Sequence, residues 1–134
     1  MTNALYDKAK ESFGKAEIDW LNDDIKVALV DTTAYTVDLA THQFYSDLGV
    51  VVTDSGNLTT KTIAAGKAKA DDLTYLAVAA GPGACALVVY QDTGVAISSR
   101  LIAYIDAGGG SLPVTPDGTD IAVFWDAVDG IFIL

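Results

Sequence analysis

The chain holds a single cysteine, a single histidine, one methionine and three prolines in 134 residues, and only eight lysines and arginines against 18 acids. One cysteine rules out a disulfide within the chain and leaves the redox compartment undetermined. Cys85 lies in Ala84-Cys85-Ala86-Leu87-Val88-Val89-Tyr90 with no cationic neighbour to lower its pKa, so it reads as a small buried hydrophobe, not a nucleophile. The shortage of bases gives a net charge of -10, and beyond Lys69 the only base is Arg100, facing Asp71, Asp72, Asp92, Asp106, Asp117, Asp120, Asp126 and Asp129. A surface of that sign repels phosphate backbones and anionic headgroups, so neither nucleic acid nor membrane is an expected partner. Long apolar runs are also missing. The most apolar stretch, residues 75 to 90, is short for a membrane span and is interrupted by Gly81-Pro82-Gly83. The first ten residues carry Asp7, Lys8 and Lys10 and no continuous apolar core, so no targeting segment is expected, and the chain reads as a soluble protein made in the cytosol.

What the chain does have is apolar residues, 51% of the total, with a mean hydropathy of +0.33. That exceeds the roughly 45 to 50% usual for a soluble domain and suggests surface buried between subunits. The length fits one domain spanning residues 1–134, with enough chain to bury roughly two thirds of its unfolded surface. Acidity then has a simple use in keeping an apolar protein soluble.

The expected organisation is mainly β: an antiparallel β-sandwich over about residues 18–134, preceded by a short N-terminal helix over about residues 4–13. For that helix Asn3 supplies a cap, Leu5, Ala9 and Phe13 a narrow apolar stripe, and Gly14 a stop. From Ile25 the period becomes two, with Ile25, Val27 and Leu29 on one face and Lys26, Ala28 and Val30 on the other. Thr41 is placed to cap a helical turn carrying His42, Phe44, Tyr45 and Leu48. Further strands are expected at 50–53, 58–64, 67–70, 73–78, 84–90, 100–105, 121–125 and 131–134. Gln91-Asp92-Thr93-Gly94 forms a hairpin turn in this reading, and Asp106 to Ser111 a loop. Apolar residues on both faces of 85–90 point to a central strand covered on two sides. A small β-barrel is the alternative, because pattern alone does not determine closure.

Several constellations invite a chemical reading. Asp38, His42 and Ser46 stand four apart and would line one face of a helix, yet no G-x-S-x-G turn or oxyanion hole accompanies them. Capping or packing is the better role for His42. Asp117, Asp120, Asp126 and Asp129 are possible oxygen ligands for calcium, but the spacing of an EF-hand loop is absent and Pro116-Asp117-Gly118 is a good turn by its own chemistry. Paired carboxylates for glycoside hydrolysis need one acid in an apolar pocket, whereas these acids occupy turns. Gly108-Gly109-Gly110 lacks the Lys-Ser/Thr ending of a phosphate loop. Trp20, Trp125, Phe124, Tyr75, Tyr90 and Tyr104 suit core or subunit contacts better than a sugar-stacking surface. No catalytic residue, cofactor site or metal site is therefore expected, the chain is not expected to be an enzyme, and no particular interface residue emerges.

The run from Ile18-Asp19-Trp20-Leu21 through Asp23-Asp24-Ile25-Lys26-Val27-Ala28-Leu29-Val30-Asp31 to Tyr35, continued by Thr41-His42-Gln43-Phe44-Tyr45-Ser46-Asp47-Leu48, resembles a group of small structural proteins encoded by tailed bacteriophages. The similarity extends to residues 3–11, Leu58-Thr59-Thr60-Lys61-Thr62, 70–75, 88–94, 99–106, Leu112-Pro113-Val114-Thr115-Pro116 and Ile131-Phe132. Val128-Asp129-Gly130 departs from it, since the family has an Asn-rich turn there. The resemblance implies a virion component with no catalytic residues to transfer. The leading expectation is a capsid decoration or cement protein on the outer surface of the shell, with the major capsid protein as partner and a homo-oligomer, a trimer favoured, as the assembled form. A tail or head-fibre component with a receptor-binding role is the alternative, and a small envelope hydrolase a remote one.

Overall fold

The computed structural model describes residues 4–81, 83–108 and 112–134. Its centre is a trio of apolar strands, β2 (Ile25–Asp31), β7 (Cys85–Gln91) and β8 (Leu101–Ile105). β7 pairs antiparallel with β2, Val27 facing Val89 and Leu29 facing Leu87, and on its other side with β8, with a shift of register between Val89 and Tyr90. Every residue of β7 and β8 is buried. Two short strands complete the sheet: β1 (Ala4–Leu5) along β8 and β3 (Thr53–Asp54) along β2, giving the order β1-β8-β7-β2-β3.

Because side chains alternate along a strand, the sheet feeds two cores. Ile25, Val27, Leu29, Leu87 and Val89 point one way, toward Trp20, Leu58, Ala68, Tyr75, Ile121, Val123 and Phe132. These partners come largely from two smaller antiparallel sheets. One is β10-β5-β4, made of β4 (Thr62–Ala64), β5 (Lys67–Lys69) and β10 (Phe132–Ile133); the other pairs β6 (Leu73–Tyr75) with β9 (Ile121–Val123). Ala28, Val30, Ala86, Val88 and Tyr90 point the other way and are covered by Tyr6, Ala9, Tyr35 and Leu48. Burying a single Leu or Val side chain is worth about 1.5–3 kcal/mol, so a strand buried on both faces anchors both layers.

The molecule is thus a small, mostly β fold of several antiparallel sheets with one short helix, α1 (Asp7–Gly14). Among the described residues the sheets have open ends and do not close into the small barrel left open by the sequence pattern. No helix among them is long and apolar enough to cross a membrane.

The helix begins three residues later than the expected 4–13 span, because Ala4 and Leu5 are claimed by the edge of β8. The expected cap, Asn3, lies outside the described residues. Tyr6 stands at the N-cap instead without a side-chain capping bond, and its hydroxyl is 2.8 Å from that of Tyr35 in the interior. Thr41 caps no helix. The turn there is a 3₁₀ segment, Tyr45–Leu48, with the Asp47 carboxylate accepting the Phe44 and Gln43 amides at 3.0 and 2.8 Å. Strand 58–64 shortens to Thr62–Ala64 and 73–78 to Leu73–Tyr75, where positive φ at Thr60 (55°) and Ala77 (45°) breaks the extended chain. The strand expected at 50–53 shifts to Thr53–Asp54.

Candidate functional site

The register of the central sheet builds a polar cavity at its β3 edge. Lys26 faces Tyr90 across β2 and β7, and Ala28 faces Asp54 across β2 and β3, so Lys26, Tyr90 and Asp54 share one face of the sheet. The 3₁₀ segment adds Tyr45, tied to the 93–99 loop by its own amide on the Ser99 carbonyl (2.8 Å) and by the Ser46 amide on the Ala96 carbonyl (3.2 Å). Together with Asp92, Gly94, Val95, Ala96 and Ser99 these residues line an open cavity of about 410 Å³, with Asp54 exposed in it.

Asp54 is the centre of the arrangement. The Tyr90 hydroxyl donates to its Oδ1 at 3.0 Å and the Tyr45 hydroxyl to its Oδ2 at 2.8 Å, while the two rings lie 4.8 Å apart at 54°. Burial, with Asp54 adding to it, pushes the ionisation of both phenols well above the usual tyrosine range, so they remain donors at any physiological pH. Beside them Lys26 Nζ pairs with Asp92 Oδ2 at 2.7 Å, and Asp92 Oδ1 accepts the Gly94 amide at 2.9 Å. That pairing holds the Asp92 carboxyl below the ordinary carboxylate range and raises the Lys26 ammonium. The Ser99 hydroxyl donates to the Val95 carbonyl at 2.9 Å and accepts the Thr93 amide at 3.0 Å, which stiffens the loop wall. Asp92 therefore has its cation. Among the described residues no lysine, arginine or histidine lies within ion-pairing distance of Asp54.

A larger groove of about 530 Å³ runs between β1 and β10, walled by Leu5, Ala103, Ile105, Ile131 and Phe132. Its charged groups are already engaged: Lys10 with Asp7, Asp129 with Lys67, and Asp126 with the Val128 and Asp129 amides. It lacks the converging polar groups of the Asp54 cavity.

The Asp38, His42, Ser46 array does not form. The Asp38 carboxylate caps the Ala40 and Thr41 amides, His42 Nδ1 is 2.7 Å from the Tyr35 hydroxyl, and no hydrogen bond among the described residues joins His42 to Ser46. The four C-terminal carboxylates do not converge either. Asp117 serves Thr119, Asp120 accepts the Ala77 amide, Asp126 closes the 126–130 turn and Asp129 pairs with Lys67. Among the described residues no group of three or more His, Cys, Asp or Glu is placed to hold an ion. Of Gly108-Gly109-Gly110, only Gly108 falls within the described residues. Trp20, Tyr75, Tyr90 and Tyr104 are buried, Trp125 half-buried with its indole on the Asp71 carbonyl, and Phe124 exposed. Burial pushes the Cys85 thiol up to about 11.

Lys26, Tyr45, Asp54 and Asp92 carry no signal as a set in the sequence, since they come from four segments. Only the alternation at Lys26, a charged residue in a buried strand, marks one of them. The chain matches no family model, no curated protein and no solved structure.

Proposed function

We propose that this chain is a structural protein of a tailed-phage particle, a capsid decoration or cement protein that docks on the outside of the major capsid shell. The support begins with the resemblance of the Ile18-to-Leu48 run, whose strand Ile25–Asp31 lies at the middle of the fold. The observation that carries the reading is the surface. The accessible area is 6466 Å², close to the roughly 6,700 Å² expected of a monomer of this mass, so the core needs no partner to complete it. Large aliphatic side chains nonetheless stay outside: Val95 lines the Asp54 cavity, Ile97 follows in the same loop, and Val50 and Val52 precede Asp54 in the chain. Exposed aliphatic surface beside a polar socket suits a docking face. Acidity favours the outside of a DNA-filled shell over the inside.

The finer architecture belongs to the same proposal: the two small sheets face the five-stranded sheet across one core and form with it a β-sandwich. Docking would stabilise the shell by mass action, because a protein that binds only the assembled lattice shifts the equilibrium toward it. Quantitative mass spectrometry of purified particles tests this. A copy number comparable with that of the major capsid protein supports a decoration protein; a few copies per particle would assign the chain to a tail or fibre. The solution mass by light scattering tests the trimer.

A further inference from the structure

We infer that the Asp54 cavity is the socket for an arginine side chain presented by the partner protein. This rests on the reading of the chain as one that docks on another protein. The cavity is a mixed one, with an aromatic pair, one internal ion pair and one carboxylate left over. Lys26 and Asp92 neutralise each other at 2.7 Å, so the formal charge that remains is that of Asp54. An ionised carboxylate offers about four acceptor positions, and the two phenols use one on each oxygen. The position left on each oxygen suits the two parallel N–H groups of a guanidinium. A planar cation also stacks on aromatic faces, which the Tyr45 ring, half-buried beside the buried Tyr90, supplies.

Other ligand classes fit less well. A phosphate meets two carboxylates. A neutral sugar would leave the Asp54 charge unmatched and would find both phenol hydroxyls already donating. A lysine lacks the fork and the plane. The exposed Val95 lines the socket, and a protein surface seated over it would exclude water, which strengthens the charged contact within.

The test is a titration of the isotopically labelled full chain with N-acetyl-arginine amide, followed by amide NMR shifts. N-acetyl-lysine amide, maltose and sodium chloride at matched ionic strength form the other arms. Saturable shifts confined to residues around Tyr45, Asp54 and the 93–99 loop are expected with the arginine probe, and weaker binding with the lysine probe. Asp54→Asn should weaken arginine binding about tenfold or more, the scale of a lost charge-assisted hydrogen bond. Lys26→Met, which removes the competing internal cation, should tighten it. Opposite signs from two adjacent substitutions are not expected of a merely structural effect, and Tyr45→Phe, which keeps the ring and Asp54, serves if Asp54→Asn fails to fold. Shifts no larger than those with salt, shifts with maltose in place of arginine, or weaker binding by Lys26→Met would each overturn the inference. Copy number in the particle is measured independently, so a silent socket on an abundant shell protein would sink this inference alone.

Discussion

Tyr75 sends its hydroxyl into the interior, 2.6 Å from the Val27 carbonyl, which also accepts the Ser55 amide at 2.9 Å. Removing the hydroxyl therefore leaves that carbonyl satisfied, and Tyr75→Phe should cost about 0.5–1.5 kcal/mol in urea unfolding. Leu87→Ala, at a position with no exposure between two paired strands, should cost about 2–5 kcal/mol, because a cavity remains where the neighbours cannot collapse. Cys85 gives a chemical check on the same core. Buried, and with its thiol pushed up to about 11, it should react with a disulfide reagent at pH 8 far more slowly in the folded chain than in denaturant. Fast labelling of the native protein would contradict the packing. At this scale the sequence was informative where a residue has one role to play: Cys85 sits in an apolar run and is buried. It was silent on Asp54, whose meaning depends on two tyrosines 9 and 36 residues away.

Elements here are short, and their ends are decided by neighbours more than by propensity. Gly130, at φ 74°, closes the turn that delivers β10 to β5; a Cβ there would run into the Ala68 carbonyl, which accepts the Ile131 amide at 2.7 Å. Gly94 has a comparable φ of 85°, but open space lies where its Cβ would be. Gly94→Ala should thus cost about 1 kcal/mol for backbone strain alone. Gly130→Ala should cost clearly more and shift the near-ultraviolet signal of Trp20, whose ring meets Phe132 edge-on at 5.1 Å. Equal costs for the two would mean that the 126–130 turn does not seat β10. The strands β2, β7 and β8 were legible because both their faces are apolar, leaving no solvated alternative. The start of α1 was not legible: Ala4 and Leu5 suit a helix locally, and only the unpaired edge of β8 makes them a strand.

At the scale of the molecule, two electrostatic effects oppose each other as pH falls. The net charge of -10 is titrated away toward the pI of about 4.1, which relieves repulsion. Against this, Asp31 and Asp117, held by Thr33 and Thr119 through hydroxyl and amide bonds, and Asp126, held by the Asp129 and Val128 amides, lie below the ordinary carboxyl value of 3.8 in the folded chain. A folded pKa below the unfolded one contributes stability that is complete above the unfolded value and lost as pH falls through the folded one. The thermal midpoint should therefore hold or rise from pH 7 toward 5 and drop below about pH 4. Asp126→Asn should make that acid-side drop shallower, and a drop of unchanged steepness in this variant would show that net charge alone governs the profile.

Composition and alternation by themselves determined a small, mostly β fold around Ile25–Asp31 and Cys85–Gln91, because burial acts locally on every apolar side chain and leaves its period in the sequence. They also determined the sign of the chain's own net charge, a sum that needs no coordinates. Which strands meet, that the sheets stay open, and that Lys26, Tyr45, Asp54 and Asp92 share one cavity were decided only in the tertiary structure. Register is a property of pairs of distant segments, and a polar site assembled across four of them has no period to leave behind.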